Sequence, residues 1–160
     1  MKFLSKALLM FGFTICKAEF IISDNYLCRI ATIESNGNPN AVGDNGNAIG
    51  MYQIHKSAYE DACAYLKTNH PEEYDYLKIG NFKKDCLDPD KARILCLSYL
   101  EVLKTIMIRN GDEVNKYTLY VAYNRGYNGA KAIGFNINYI WLRAAEKTKY
   151  FRAKQILDSK

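Results

Sequence analysis

Between Asp88-Pro89 and Asn110-Gly111 the chain holds one unbroken helical pattern, and few folds can be built around it. An Asp at the cap position followed by Pro in the first turn starts a helix. Ala92, Leu95, Cys96, Tyr99, Val102, Leu103 and Ile106 then recur at helical spacing along one broad face. Asn110-Gly111 ends the run. A helix apolar over that width must be enclosed by other elements, so it is the expected core helix of an α-rich domain.

The remaining segments fit around it. Ser23-Asp24 are helix-start residues, and Leu27, Ile30, Ala31 and Glu34 follow at helical spacing up to the breaker Asn36-Gly37-Asn38-Pro39. Residues 41–54 carry dense turn chemistry at Gly43-Asp44-Asn45-Gly46-Asn47, with short apolar stretches on both sides, which predicts a small hairpin. A helix is expected from Lys56 to Leu66, then an irregular stretch broken by Pro71 and Gly80. Asp112 is expected to cap a helix through Val114, Tyr117 and Val121 that ends at Asn124-Arg125-Gly126. A last helical region runs from Asn136 to Ser159. The expected fold class is α+β, predominantly α, with one small sheet and no internal linker. At 160 residues, 49% hydrophobic and 24% charged, the chain is neither disordered nor low-complexity.

Residues 1–18 read as a segment apart. Lys2 and Lys6 flank the start of an apolar run, Ala7 to Cys16, and Cys16-Lys17-Ala18 has small residues at its first and third places. This is the pattern of a secretory signal peptide with cleavage after Ala18, leaving a domain over 19–160 in a secreted or periplasmic location. The apolar run is too short to span a bilayer, so no membrane span is expected. Phe13-Thr14-Ile15 lacks the small residues that would mark Cys16 for lipidation.

That division changes two properties. The formal charge of +5 falls to +2 once Lys2, Lys6 and Lys17 are removed, because no acid leaves with them. Nucleic acid is therefore not an expected partner. The residual basic segment, Arg143 to Lys160, reads as a solvated helix face, with anionic cell-wall polymers or membrane surfaces as the other reading. Cys28, Cys63, Cys86 and Cys96 remain, and an even number in an exported domain predicts two disulfides. Three pairings are open, with Cys28–Cys96 and Cys63–Cys86 preferred. No C-x-x-C pair or His cluster suggests a metal, and no cofactor is implied.

Glu34 continues an apolar stripe into the last turn of its helix. A carboxylate there is costly unless used or paired, and the negative end of the helix dipole disfavours its charge. Both effects suit a group that gives up a proton. The run Glu34-Ser35-Asn36-Gly37-Asn38-Pro39-Asn40-Ala41 matches the pattern E-S-x-x-N-P-x-A. Gly50-Met51-Tyr52-Gln53-Ile54 matches G-x-x-Q-I, and Ala122-Tyr123-Asn124-Arg125-Gly126 matches A-Y-N-x-G. These three motifs, in this order, resemble the soluble lytic transglycosylase (SLT) family of the lysozyme-like superfamily, over about residues 20–145. Gly43-Asp44-Asn45-Gly46-Asn47 also resembles the turn of goose-type lysozymes. A fainter likeness to invertebrate-type lysozymes runs through Gln53 to Ala62 and Asp85 to Pro89.

The resemblance implies a lysozyme-like fold and cleavage of the β-1,4 bond between N-acetylmuramic acid and N-acetylglucosamine in peptidoglycan. Glu34 takes the place of the acid. In a lytic transglycosylase it then serves as base for the muramyl C6 hydroxyl, giving a 1,6-anhydro product with one carboxylate. An inverting lysozyme needs a second carboxylate roughly 6.5–9.5 Å away to hold water. Asp44 is the candidate, although Asp in Gly-Asp-Asn-Gly is well explained as a plain turn residue, the reading preferred for it. His55 stands where goose-type enzymes often carry another acid, and is expected at the surface or as a cap. Ser35 and Gln53 resemble groove residues. Tyr52 either stacks on sugar or fills the core. Tyr123 is expected to bond the catalytic carboxyl and Asn124 to contact substrate. Arg125 meets a peptide-stem carboxylate or points to solvent, and Trp141 is assigned to packing. The expected partner is the peptidoglycan glycan strand, met by a monomer. A hydrolytic lysozyme and an inactive glycan-binding relative are the other readings.

Overall fold

The computed structural model describes residues 19–138 and 144–159. The expected signal segment 1–18 and Trp141 lie outside the described residues.

Seven helices and one short sheet make up the described chain. Helix α1, Asp24–Ser35, starts where Ser23 Oγ accepts from the Tyr26 amide, and ends at Asn36 in the left-handed conformation with φ 58°. Tyr26, Leu27, Ile30, Ala31 and Ile33 are buried along it. Burial of a Leu or Ile side chain contributes about 1.5–3 kcal/mol, so this stripe anchors the helix that carries Glu34.

The segment after α1 is a three-stranded antiparallel sheet rather than a hairpin: β1 (Val42–Gly43), β2 (Ala48–Ile49) and β3 (Ile54–His55), in that order. Val42 faces Ile49 and Ala48 faces His55 in the register. Asp44–Gly46 forms a single 3-10 turn between β1 and β2. The turn between β2 and β3 passes so close to the Cys86 carbonyl that a Cβ on Gly50 would lie 1.8 Å from its oxygen, at φ +76°. Only glycine fits there.

Helix α2 runs Lys56–Asn69, longer than the spacing predicts. The stretch read as irregular contains two short helices, α3 (Pro71–Leu77) and α4 (Phe82–Leu87). Both are started by local signals, Pro71 in the first turn and Asn81 accepting from the Lys84 amide, which apolar periodicity does not register. Helix α5, Pro89–Arg109, is the expected core helix, capped by Asp88 at the amides of Asp90 and Lys91. Its most enclosed residues are Ala92, Leu95, Cys96, Leu100, Leu103 and Met107: four of the expected face residues are among them, while Leu100 and Met107 are enclosed in place of Tyr99, Val102 and Ile106.

Helix α6, Lys116–Ala132, is capped by Asn115 in a capping box with Thr118, not by Asp112. It does not end at Asn124-Arg125-Gly126. Gly126 breaks the dihedrals (φ 70°, ψ 161°), and the helix resumes beyond it because Ala130 and Phe135 pack into the core. Helix α7, Ala144–Asp158, lies across α1, while α5 packs between α2 and α6. Arg29 on α1 and Lys116 on α6 both donate to the Leu157 carbonyl, fixing the end of α7.

The two expected disulfides are not formed: Cys28, Cys63, Cys86 and Cys96 are free thiols. Cys28 is exposed on α1, whereas Cys96 is fully enclosed in the middle of α5. Cys63 is half-buried on α2 and Cys86 is enclosed on α4, each held by its helix without a bond to the other.

Candidate active site

The C-terminal turn of α1, the sheet and α6 meet around a cleft of about 140 Å³ lined by Glu34, Asp44, Ala48, Gln53, His55, Tyr123, Asn124 and Lys149. A second hollow continues from it along Ile54, Ser57, Tyr99, Arg125 and Gly126, sharing Gln53, His55, Tyr123 and Asn124. The two form one groove past the end of α1.

Glu34 is placed at the cleft by the last turn of α1, and its side chain is only 5% exposed. The Tyr120 hydroxyl donates to Oε1 at 3.0 Å, and the Lys149 ammonium to Oε2 at 2.8 Å. A buried carboxylate is costly alone, and these two partners offset that cost. Burial, followed by the negative charge of Glu34, pushes the Tyr120 phenol well above its usual range, so it stays protonated as a donor.

The tyrosine of the A-Y-N-x-G motif does something else. The Tyr123 hydroxyl donates to the Tyr52 carbonyl at 2.7 Å, tying α6 to the sheet turn. Tyr120, three residues earlier, is the phenol on Glu34, which corrects the expected role of Tyr123. Helical geometry puts both on one face, and only the inner one meets α1. Asn124 lines the cleft, and its Oδ1 accepts from the Tyr150 hydroxyl at 3.1 Å.

Tyr52 is 3% exposed and fills the core, away from the cleft lining. The Ser35 hydroxyl donates to the Met51 carbonyl at 2.8 Å and so joins the end of α1 to the sheet. Gln53 takes φ 49° and donates Nε2 to the Gly50 carbonyl at 2.9 Å. A Cβ on Gly43 would lie 2.2 Å from Gln53 Oε1, so glycine at position 43 makes room for that amide.

Asp44 is 70% exposed and pairs with His55 Nε2 at 3.1 Å. His55 sits at the cap position of α2 without capping it, and lines the groove instead. Arg125 pairs with Glu146 at 3.1 Å, rather than pointing freely to solvent. The basic C-terminal segment is not simply a solvated face either. Lys149 reaches Glu34, and Arg152 donates to the Thr32 carbonyl and Asn36 side chain at the end of α1.

Two site residues, Tyr120 and Lys149, have no motif to announce them. Tyr120 is hidden in an apolar run, where a phenol needing a buried partner is the available signal. Lys149 lies 115 positions from Glu34 in sequence and carries no local signal. Among the described residues, no group of three or more His, Cys, Asp or Glu could hold a metal ion, and no helix is long and apolar enough to cross a membrane.

A mostly helical domain with a short antiparallel sheet beside the helix that carries a buried glutamate has the lysozyme-like fold, of the α+β class with α predominant. The chain belongs to the Transglycosylase SLT domain family, whose match covers residues 14–134. Comparison with curated proteins and comparison with solved structures gave no match. Family membership supports a lytic transglycosylase-type activity on peptidoglycan, compatible with a periplasmic or extracellular site of action. Helix α7 and Lys149 lie beyond the matched residues.

Proposed function

We propose that the protein cleaves the β-1,4 bond between N-acetylmuramic acid and N-acetylglucosamine as a lytic transglycosylase, with Glu34 as the single acid/base. The observation that carries this reading is the buried Glu34 carboxyl, held by Tyr120 and facing a groove lined by Gln53, Tyr123 and Asn124. The protonated carboxyl gives its proton to the bridging oxygen as the bond to the muramyl anomeric carbon breaks. The carboxylate then takes the proton of the muramyl C6 hydroxyl as that oxygen bonds to the same carbon. The products are a 1,6-anhydro end and a free hydroxyl on the departing sugar; no water enters, and Glu34 regains its proton.

The surrounding groups suit this work. Tyr120 fixes Oε1. Asn124, with its Oδ1 taken by Tyr150, offers its amide NH2 to substrate. Gln53, with Nε2 taken by Gly50, offers Oε1 to a sugar N-acetyl N–H. Tyr52 and Ser35 act behind the groove, as packing and as a tie. In the same reading, residues 1–18 are a signal segment removed after Ala18, and residues 19–160 work as a monomer in the periplasm or outside the cell.

A hydrolytic lysozyme with Asp44 as the water-activating base is the second reading, favoured by the place of Asp44 on the same cleft. Mass spectrometry of fragments released from purified peptidoglycan decides between them. Ends lighter by one water, absent with Glu34→Gln, are the expected result. Reducing ends would make the protein a hydrolase, and no release by either form would leave a glycan-binding relative.

A further inference from the structure

The contact between Lys149 and Glu34 conflicts with what a general acid must do. The proton that Glu34 gives up has to sit on a carboxyl oxygen that reaches the glycosidic oxygen. Oε1 accepts from Tyr120 and Oε2 accepts from an ammonium at 2.8 Å. An ammonium carries only donors, and a carboxyl O–H pointed at it would be an unmatched donor as well. Lys149 must therefore leave Oε2 before the acid can act.

Lys149 is built to move while its helix is not. Its side chain is 38% exposed on the lip of the cleft, at the end of a flexible four-carbon stem. Helix α7 itself is held by the fully enclosed Ala153 and Leu157 and by Arg152 on the end of α1. The other acid on the cleft, Asp44, is paired with His55. What draws the ammonium off is then an anion brought by the substrate.

A peptidoglycan strand offers one such anion at the sugar itself. The lactyl group of muramic acid ends in a free carboxylate when no stem peptide is attached, and in a neutral amide when one is. N-acetylglucosamine carries no charge. We propose that Lys149 is a specificity residue whose ammonium moves from Glu34 to the free lactyl carboxylate of a muramic acid residue, so that peptide-free strands are the preferred substrate. This rests on the peptidoglycan-cleaving reading above and narrows its substrate. Once Lys149 has moved, Oε2 is free to face the glycosidic oxygen.

The test compares strands stripped of stem peptides by an amidase with the same strands left intact. Wild type is expected to show a kcat/KM higher on stripped strands by on the order of tenfold, the size of one charge-assisted hydrogen bond. Lys149→Met should lose that preference, chiefly by gaining on intact strands, while Lys149→Arg keeps it. Equal rates for wild type on both strands would overturn the proposal. So would a preference unchanged in Lys149→Met, or lost equally in Lys149→Arg. Binding gives a readout that does not need turnover. Glu34→Gln should bind stripped strands more tightly than intact ones, and Glu34→Gln/Lys149→Met should bind both alike. If wild type cleaves neither strand, the enzymatic reading fails. The binding comparison then still decides the role of Lys149, and equal binding of both strands by Glu34→Gln overturns it.

Discussion

The Tyr120 hydroxyl reaches Glu34 Oε1 across 3.0 Å, from a helix that starts more than eighty positions later in the chain. Tyr123, one turn further along α6, spends its hydroxyl on the Tyr52 carbonyl. The two phenols therefore separate catalysis from scaffolding. Tyr120→Phe should lower kcat by about 10- to 100-fold and also lower the melting temperature, since the hydrogen bond it removes from a buried charged group contributes about 1.5–3 kcal/mol. Tyr123→Phe leaves a buried carbonyl unpaired and should cost about 1–3 kcal/mol of stability, with kcat within about threefold of wild type. Paired kinetics and thermal unfolding of the two variants check this, and a larger kcat loss in Tyr123→Phe would reverse the assignment.

Asp44 and His55 face the same cleft as Glu34 and bond to each other at 3.1 Å. If Glu34 works alone, Asp44→Asn should release anhydro-ended fragments within about threefold of the wild-type rate. If Asp44 holds the attacking water, the same variant should lose roughly 100-fold or more, as expected for removal of a general base. Product analysis of Asp44→Asn against Glu34→Gln separates the cases in one experiment.

The helix boundaries that were legible in the sequence are those written in local chemistry. Ser23 caps α1, Asn36 ends it in the left-handed conformation, and Asp88-Pro89 opens α5. Glu34 was legible for the same reason, standing on an apolar stripe just before that stop. What could not be read depends on contacts between distant segments. Gly126 looks like a helix end, and only the packing of Ala130 beyond it shows that the helix resumes. Lys149 meets Glu34 because α7 crosses α1, and no spacing encodes a crossing. The cysteines misled because an even count says nothing about which helix faces they occupy.

The thiols should behave as four separate groups. Cys28 is exposed and should alkylate within minutes in the native protein. Burial pushes the Cys86 thiol up to about 12, and burial raises the enclosed Cys96 further, so both should react only on unfolding. Mass-mapped alkylation reads this directly. A reductant should leave the melting temperature unchanged. Two disulfides would each have contributed about 2–4 kcal/mol, and their loss would lower it by several degrees.

Asp85 is the buried acid on which acid stability should turn. Its Oδ2 accepts from the Tyr59 hydroxyl at 2.8 Å, the Gly80 amide at 2.8 Å and the Asn81 amide at 2.7 Å; Lys91 reaches Oδ1 at 3.1 Å. One carboxylate thus joins α2, the turn before α4, and α5. Burial alone would raise its proton affinity, but the donors from Gly80, Tyr59, Asn81 and Lys91 outweigh it and hold the carboxyl below the usual Asp range. The native group therefore binds its proton less tightly than the unfolded one, whose value is about 3.9. Its contribution is fully present above that pH and is lost as the pH falls through the lower native value. Asp85→Asn should cost about 3 kcal/mol at neutral pH, because Lys91 loses its counter-charge and an amide cannot accept all the bonds. It should also flatten the fall in stability below about pH 4 that wild type shows. Chemical unfolding of both proteins across that range measures the effect. A neutral-pH stability for Asp85→Asn within about 0.5 kcal/mol of wild type, the range of an ordinary surface substitution, would show that this carboxylate does not hold the three elements together.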